Sequence, residues 1–453
     1  MPAIYPDYVD VTIPSNIAPL NFMLTDEAYT DCVALLTSAD GQSLTYGDGR
    51  KVIIDEDEWN TMLKASAGKA IDVEVFGKKD GAWIAFKSFK INVAKEEIDP
   101  YISYRLIEPS YVMFDEMNIS QRQITSFEES EIFNNKVSCD AKKGQCINCH
   151  SYQNYHTDNM LFHVRVTHGA TVIVSDGKLT AVNLKRDNTI SAGVYPAWHP
   201  TEKLIAFSTN HTAQEFHTTN KNKVEVFDTA SDLILYDVNN DNVIPVCSDT
   251  TRLEVFPTWS PDGKWLYYCS AADSIKSMGI KKAYDKLHYN IYRKSFDAKT
   301  LSFGEEELIY DAVEKGRSCS LPRISPDGQY LVFAEGEYGC FNIWHYDADI
   351  VMINLHNGLP MDLKAMNSNR ADSYPSWSSN GKWLMCASRR DDGNYSRVYF
   401  SYFDGKKMHK AFMLPQNDPE HNELRLKSYN RPEFMVEPVK ITLPEFKRLI
   451  LKQ

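Results

Sequence analysis

Short runs in which apolar and polar residues alternate, separated by Gly, Pro, Asn and Asp, recur along most of this chain, and that period of two predicts β-strands. Ala70-Ile71-Asp72-Val73-Glu74-Val75 and Tyr8-Val9-Asp10-Val11-Thr12-Ile13 are early examples, and Gly47-Asp48-Gly49 and Asp80-Gly81 supply hairpin turns between such runs. About seven strands fall within residues 1–96, which suggests an immunoglobulin-like β-sandwich. Within it, Asp55-Glu56-Asp57-Glu58-Trp59 followed by Met62-Leu63 reads as one short helical turn at an edge, its charges a solvated face. Tyr101 to Ile107 is strand-like, and Ser120 to Asn134 is polar and admits a helix.

A repeat then sets the fold. Tyr195-Pro196-Ala197-Trp198-His199-Pro200, Phe256-Pro257-Thr258-Trp259-Ser260-Pro261-Asp262-Gly263, Leu321-Pro322-Arg323-Ile324-Ser325-Pro326-Asp327-Gly328 and Tyr374-Pro375-Ser376-Trp377-Ser378-Ser379-Asn380-Gly381 align. They recur about every 53 to 65 residues, room for a four-stranded unit with a variable loop. Asp-Gly or Asn-Gly closes each hairpin, because Gly accepts positive φ and the Asp or Asn side chain caps the turn. An alternating strand follows each turn, as in Trp265 to Cys269 or Tyr330 to Ala334. Repeated sheets of this size form a β-propeller. Four sheets are explicit, Phe162 to Leu184 offers a fifth, and the segments near Tyr101 and Tyr429 together offer a sixth. The expected architecture is all-β: a sandwich over residues 1–96, a six-bladed propeller over 97–440, and a C-terminal tail over 441–453.

Bulk composition narrows the function. Of 453 residues, 43% are hydrophobic and 24% charged, ordinary for a soluble globular protein. The formal net charge of -12 argues against nucleic-acid binding, and no apolar run is long enough to span a bilayer. A basic protein partner, bound more weakly in salt, suits the acidic balance. There is no G-x-S-x-G, H-E-x-x-H or Gly-rich phosphate loop, so a propeller hydrolase is only an outside reading. Asp262, Gly263 and Asp327 serve the turns. Arg389-Arg390-Asp391-Asp392-Gly393 reads as a solvated charged hairpin or as the lining of a propeller funnel, and His217 and His345 read as packed.

Cys146-Ile147-Asn148-Cys149-His150 carries the candidate chemistry. It fits C-x-x-C-H, in which two thiols form thioethers to haem c and the histidine ligates iron. The flank Asp140 to Gly144 is loop-like, which places the motif in an insertion at about residues 138–160, outside any strand. Met160 and His163 are the leading candidates for a second iron ligand, with His156 and His168 also within reach. The alternatives are a Cys146–Cys149 or Cys139–Cys146 disulfide, or a thiol metal site, for which zinc would need Cys139 and a histidine. Haem attachment implies an extracytoplasmic protein. The N-terminus lacks the features of a signal peptide, so that reading takes the leader as removed.

The aromatic-Pro-x-Trp-Ser-Pro-Asp-Gly repeats resemble those of TolB-like propellers. More closely, the chain resembles secreted members that carry C-x-x-C-H ahead of the repeats. That match rests on Tyr104 to Pro109, Cys149-His150-Ser151, Met160 to Arg165 and Ser428 to Phe434. The first repeat departs at His199-Pro200-Thr201-Glu202 and the fourth at Ser379-Asn380. The resemblance implies a periplasmic or cell-surface protein, lipid-anchored in some forms. Its expected role is a monohaem electron-transfer or protein-interaction module with a cell-envelope partner. The competing expectation is a non-redox scaffold whose cysteines form a disulfide.

Overall fold

The computed structural model describes residues 1–109, 116–138, 144–272 and 279–453. Six sheets surround one axis. Their innermost strands, in chain order, are β1 (Gln145–Gln153), β2 (Gly193–Trp198), β3 (Arg252–Trp259), β4 (Ser318–Ile324), β5 (Asp372–Trp377) and β6 (Ser428–Met435). Each packs on the next, and β6 packs on β1, so the ring closes. Closure is a splice: β6 pairs antiparallel with Tyr101–Ile107, matching Tyr101 to Met435 and Ile107 to Ser428. The sheet of β6 therefore draws its strands from both ends of the propeller sequence and ties them together. The molecule is an all-β propeller preceded by further β-structure.

The Ser-Pro-Asp-Gly turns explain why the repeat is legible. Ser260 Oγ donates to Asp262 Oδ1 (2.6 Å) and accepts from the Trp265 N–H (3.0 Å), pinning the start of the next strand. Ser325 bonds Asp327 and Tyr330 in the same way, and Ser378 bonds Asn380 and Trp383. His199 clamps the turn of the first repeat by other bonds. Its Nδ1 accepts from the N–H groups of Thr201 (3.3 Å) and Glu202 (3.0 Å). Its Nε2–H is thereby set to donate to the Gly263 carbonyl (3.1 Å). Gly263 is obligatory there: φ is 69°, and a Cβ would fall 2.3 Å from the His199 ring.

The first 93 residues supply a three-stranded and a six-stranded sheet around α1 (Glu56–Ser66). The acidic run is thus the first turn of an eleven-residue helix, capped by Asp55, and Trp59, Met62 and Leu63 are fully buried. Acidic residues suit a helix N-terminus, which is why the run is not a mere surface turn. One apolar cluster joins this region to the ring, running from Trp59 and Leu63 through Tyr104 to Trp383 and Phe400. One other expectation is corrected. Ser120 to Asn134 contributes to two strands, Met117–Gln123 and Glu129–Asn134, because sheet pairing overrides its helix-compatible polarity. The tail holds α2 (Leu443–Ile450), whose Phe446 sits edge-on to Phe133 and Phe162.

Deleting residues from Ser428 onward removes β6 and opens the ring. The expected result is loss of the cooperative melt, followed by near-UV circular dichroism. A truncated chain that melts at the full-length midpoint contradicts closure through β6.

Candidate functional site

All six inner strands share one irregularity. In each, two residues stand opposite one on the partner strand, and the first of the two has positive φ. These residues are Cys149 (57°), Tyr195 (49°), Phe256 (54°), Leu321 (54°), Tyr374 (51°) and Arg431 (49°). The bulge bends each strand where it reaches the axis. Proline follows in five strands, as Pro196, Pro257, Pro322, Pro375 and Pro432. It suits a bulge because it has no N–H to leave unpaired. In β1 the pair is Cys149-His150. The end of the C-x-x-C-H pattern thus occupies the axial bulge of an inner strand, not the insertion loop that its flank suggested.

The six bulged side chains turn inward. The Tyr195 and Phe256 rings lie 4.4 Å apart, and Phe341 closes on both at 6.2 and 6.3 Å. Cys149, on the neighbouring strand β1, and Tyr374, across the ring in β5, both act on Tyr195, and Cys149 also acts on Arg431. The axis is therefore filled at this level. Burial disfavours the Arg431 charge, but Cys149, Glu433 and Tyr374 outweigh it and hold the guanidinium protonated. Burial pushes Tyr374 up to about 12 against the pull of Arg105 and Arg431. It also raises the Cys146 thiol, opposed by Arg105 and Arg165.

Whether these residues suit haem c follows from their surroundings. His150 is fully buried, and neither ring nitrogen has a well-aligned hydrogen bond among the described residues. Burial first, then Arg431 and Arg105, hold it neutral well below the usual histidine range; backbone groups of Ser103 and Arg431 oppose this. Met160 and His163 lie on opposite faces of their strand, as odd spacing requires. Met160 is buried in the core with Phe162 and Val164. His163 Nδ1 bonds Thr171 Oγ1 (2.9 Å), and its ring packs on Phe207 in the next sheet (5.8 Å). The cavity that His163 touches measures about 180 Å³, and Cys146, Cys149 and His150 are not in its walls. As folded, these residues do not fit a porphyrin.

Of the disulfide alternatives, the Cys146–Cys149 pairing is corrected. Cys146 and Cys149 are free, and an extended strand sets Cα atoms three residues apart at ~10 Å, too far for a disulfide. Cys139 lies outside the described residues. Among the described residues, no cluster of three or more His, Cys, Asp or Glu could hold a metal ion.

Beyond the bulges, the inner strands diverge around a funnel of about 590 Å³ on the Ser-Pro-Asp-Gly side. Its walls include Tyr152, Tyr155, Trp259, Arg323, Ser376 and Glu433, beginning just past His150. Glu433 accepts from Arg323 (2.6 Å), Arg431 (3.4 Å) and Ser376 (3.4 Å). Pro200, Pro261 and Pro326, from three successive turns, also line it. The opposite end is capped by a long hairpin, Leu204–Phe216 with Val224–Asp237. Beneath the cap, Asp228 accepts from Asn210 (2.6 Å) and Thr212 (2.7 Å), and burial pushes it up to about 6. Glu225 accepts from the Tyr338 hydroxyl (2.7 Å) and from His345 Nε2 (2.9 Å), so His345 is packed as expected. Arg389 is buried too, 4.3 Å over the Trp344 ring, and Arg390 pairs with Asp372 (3.1 Å), so neither arginine belongs to a solvated turn.

Sequence reading missed the axial roles of Arg105, Arg323, Arg431 and Glu433. One signal was available: Arg431-Pro432 repeats the residue–proline step of Tyr195-Pro196 without an aromatic.

No protein-family model matches the chain, and no curated protein matches it. Solved structures similar to it include the GH74 enzyme of Niastella koreensis (8% identity, TM-score 0.39). The match covers 76% of this chain but 45% of that one, so the chain spans less than half its length. Another is the β-propeller domain of the Trilobed protease from Pyrococcus furiosus (10% identity, TM-score 0.38, 77% and 95% covered). A third is an oligogalacturonate lyase solved with manganese (14% identity, TM-score 0.32, 73% and 86% covered). Scores this low assign neither a family nor an activity.

Two outcomes test the site. The variant His150→Pro writes the proline of the other five bulges into β1 and should still fold, with a melting temperature lowered only by the loss of the buried ring, by calorimetry. A variant that does not fold contradicts the equivalence of the six bulges. Asp228, ordinarily near 3.8, stays protonated in the fold up to about 6. The unfolded chain releases that proton first as pH rises, so stability falls between about pH 4 and 6, by about 3 kcal/mol. Asp228→Asn should remove that part of the pH dependence in denaturant titrations.

Proposed function

We propose that this chain is a protein-interaction scaffold of the cell envelope, without a redox cofactor, whose contact face is the axial funnel. One observation carries this reading: the six-bulge plug uses Cys149 and His150 as fold elements and leaves the funnel as a blind, preformed recess. Preformed recesses with apolar walls and a few fixed polar groups are where ligands settle. Propellers offer such a face because the loops vary while the sheets stay rigid. The Arg323–Glu433 pair sits within it as a fixed polar feature, and the proline-lined walls resist collapse. The cell-envelope location draws its support from the family resemblance, since the motif no longer supplies it.

A photo-crosslinking residue in place of Pro261, which is exposed beside the funnel, should capture one discrete partner from a cell-envelope extract at low salt. The same residue in place of Trp83, which is exposed on the N-terminal sheet, should not. Equal capture from both positions, or none from Pro261, contradicts the funnel as contact face.

A further inference from the structure

A second recess lies away from the axis. A cleft of about 710 Å³ opens between the strands Tyr101–Ile107, Met117–Gln123 and Glu129–Asn134 and the crossing segment 416–427. Most of its charged side chains already hold partners. Arg425 pairs with Glu129 (3.1 Å), which also accepts from the Tyr104 hydroxyl (2.9 Å). Lys427 pairs with Glu116 (3.2 Å). Arg122 donates to the carbonyls of Phe127 (2.8 Å) and Pro415 (3.0 Å). Glu131 accepts from the amides of Asn118 and Asn134, each at 2.8 Å.

What remains open on these walls is hydrogen-bonding capacity of both kinds, neutral except for one guanidinium N–H. Asn118 Oδ1, Ser120 Oγ, Arg122 Nε and His421 Nε2 are buried atoms without a partner among the described residues. Ser120 is 1% exposed and Arg122 4%. The Asn118 amide is oriented by Glu131, so its free oxygen is an acceptor. Burial lowers His421 to about 4, so its imidazole is neutral at physiological pH. An unpartnered buried polar atom costs ~1–3 kcal/mol, and four along one cleft call for an explanation that packing does not give. Leu426, 62% exposed, adds an apolar lip.

We infer that this cleft binds a neutral saccharide. Sugar hydroxyls both donate and accept, so one ligand meets Asn118, Ser120, Arg122 and His421 together, while a ring's C–H face lies on Leu426. An anion would meet one free charged donor, Arg122 Nε, but Arg425 and Lys427 already hold Glu129 and Glu116. The volume falls within the range of small-molecule sites. This inference stands apart from the funnel, and neither depends on the other.

The test uses the full chain, with maltotriose, cellotriose and chitotriose as probes at millimolar concentration. Saturation-transfer NMR should show at least one of them bound, and calorimetry should give a saturable isotherm. Leu426→Ala and Ser120→Ala should each weaken that binding about tenfold, the loss of one good contact. Leu426 is exposed, so its variant should keep the parent melting temperature and serves even if Ser120→Ala fails to fold. Three outcomes overturn the assignment: no saturable binding of any probe, binding undiminished in Leu426→Ala, or tighter binding of an acidic peptide than of every sugar.

Discussion

Six inner strands approach one axis, and none can remain a regular ladder where they meet. Each spends one extra residue on a bulge, places it at positive φ, and turns its side chain inward. Positive φ costs a non-glycine residue energy, so six such positions persist only because the closed ring holds them all at once. The splice of β6 onto Tyr101–Ile107 is what closes that ring. The packing of Tyr195, Phe256, Phe341 and Tyr374 is thus a consequence of topology as much as of residue type.

That constraint sorts the molecule into functional regions. The plug divides the axis into a capped end, where Asp228 and Glu225 are satisfied by neutral donors and His345, and an open funnel, where Arg323 and Glu433 sit fixed among aromatic and proline residues. It also accounts for β1. A bulge asks for a residue tolerant of positive φ followed by one that does not need its ladder bond. Cys149-His150 meets the geometry without the aromatic or the proline, and its thiol is the smallest side chain in the plug. The arginines around it, Arg105, Arg165 and Arg431, are tied to the carbonyls of Ile147, Gly193 and Pro196, so they brace neighbouring strands against one another.

The turns were the legible part of the sequence because each residue in Ser-Pro-Asp-Gly has one geometric task. Even the departure at His199 keeps a side-chain clamp, although its imidazole accepts from the N–H groups two and three residues on, where serine accepts from the one five residues on. The axial bulge was less legible, because φ and facing direction leave only a residue–proline step in the sequence. Cys149-His150 lacks that step and matches a haem signature instead, and local pattern alone could not separate the two. Helix α1 was obscured by its acidic first turn, and the strands at Met117–Gln123 and Glu129–Asn134 by polar residues that face the cleft.

We propose that the C-x-x-C-H residues are structural members of the axis that hold no haem. Intact-mass analysis tests it most directly, on protein exported through a host's cytochrome c maturation machinery and then fully denatured. The account predicts the mass of the bare polypeptide. A mass increased by one covalently retained haem, lost when Cys146 and Cys149 are both changed to Ser, would contradict it.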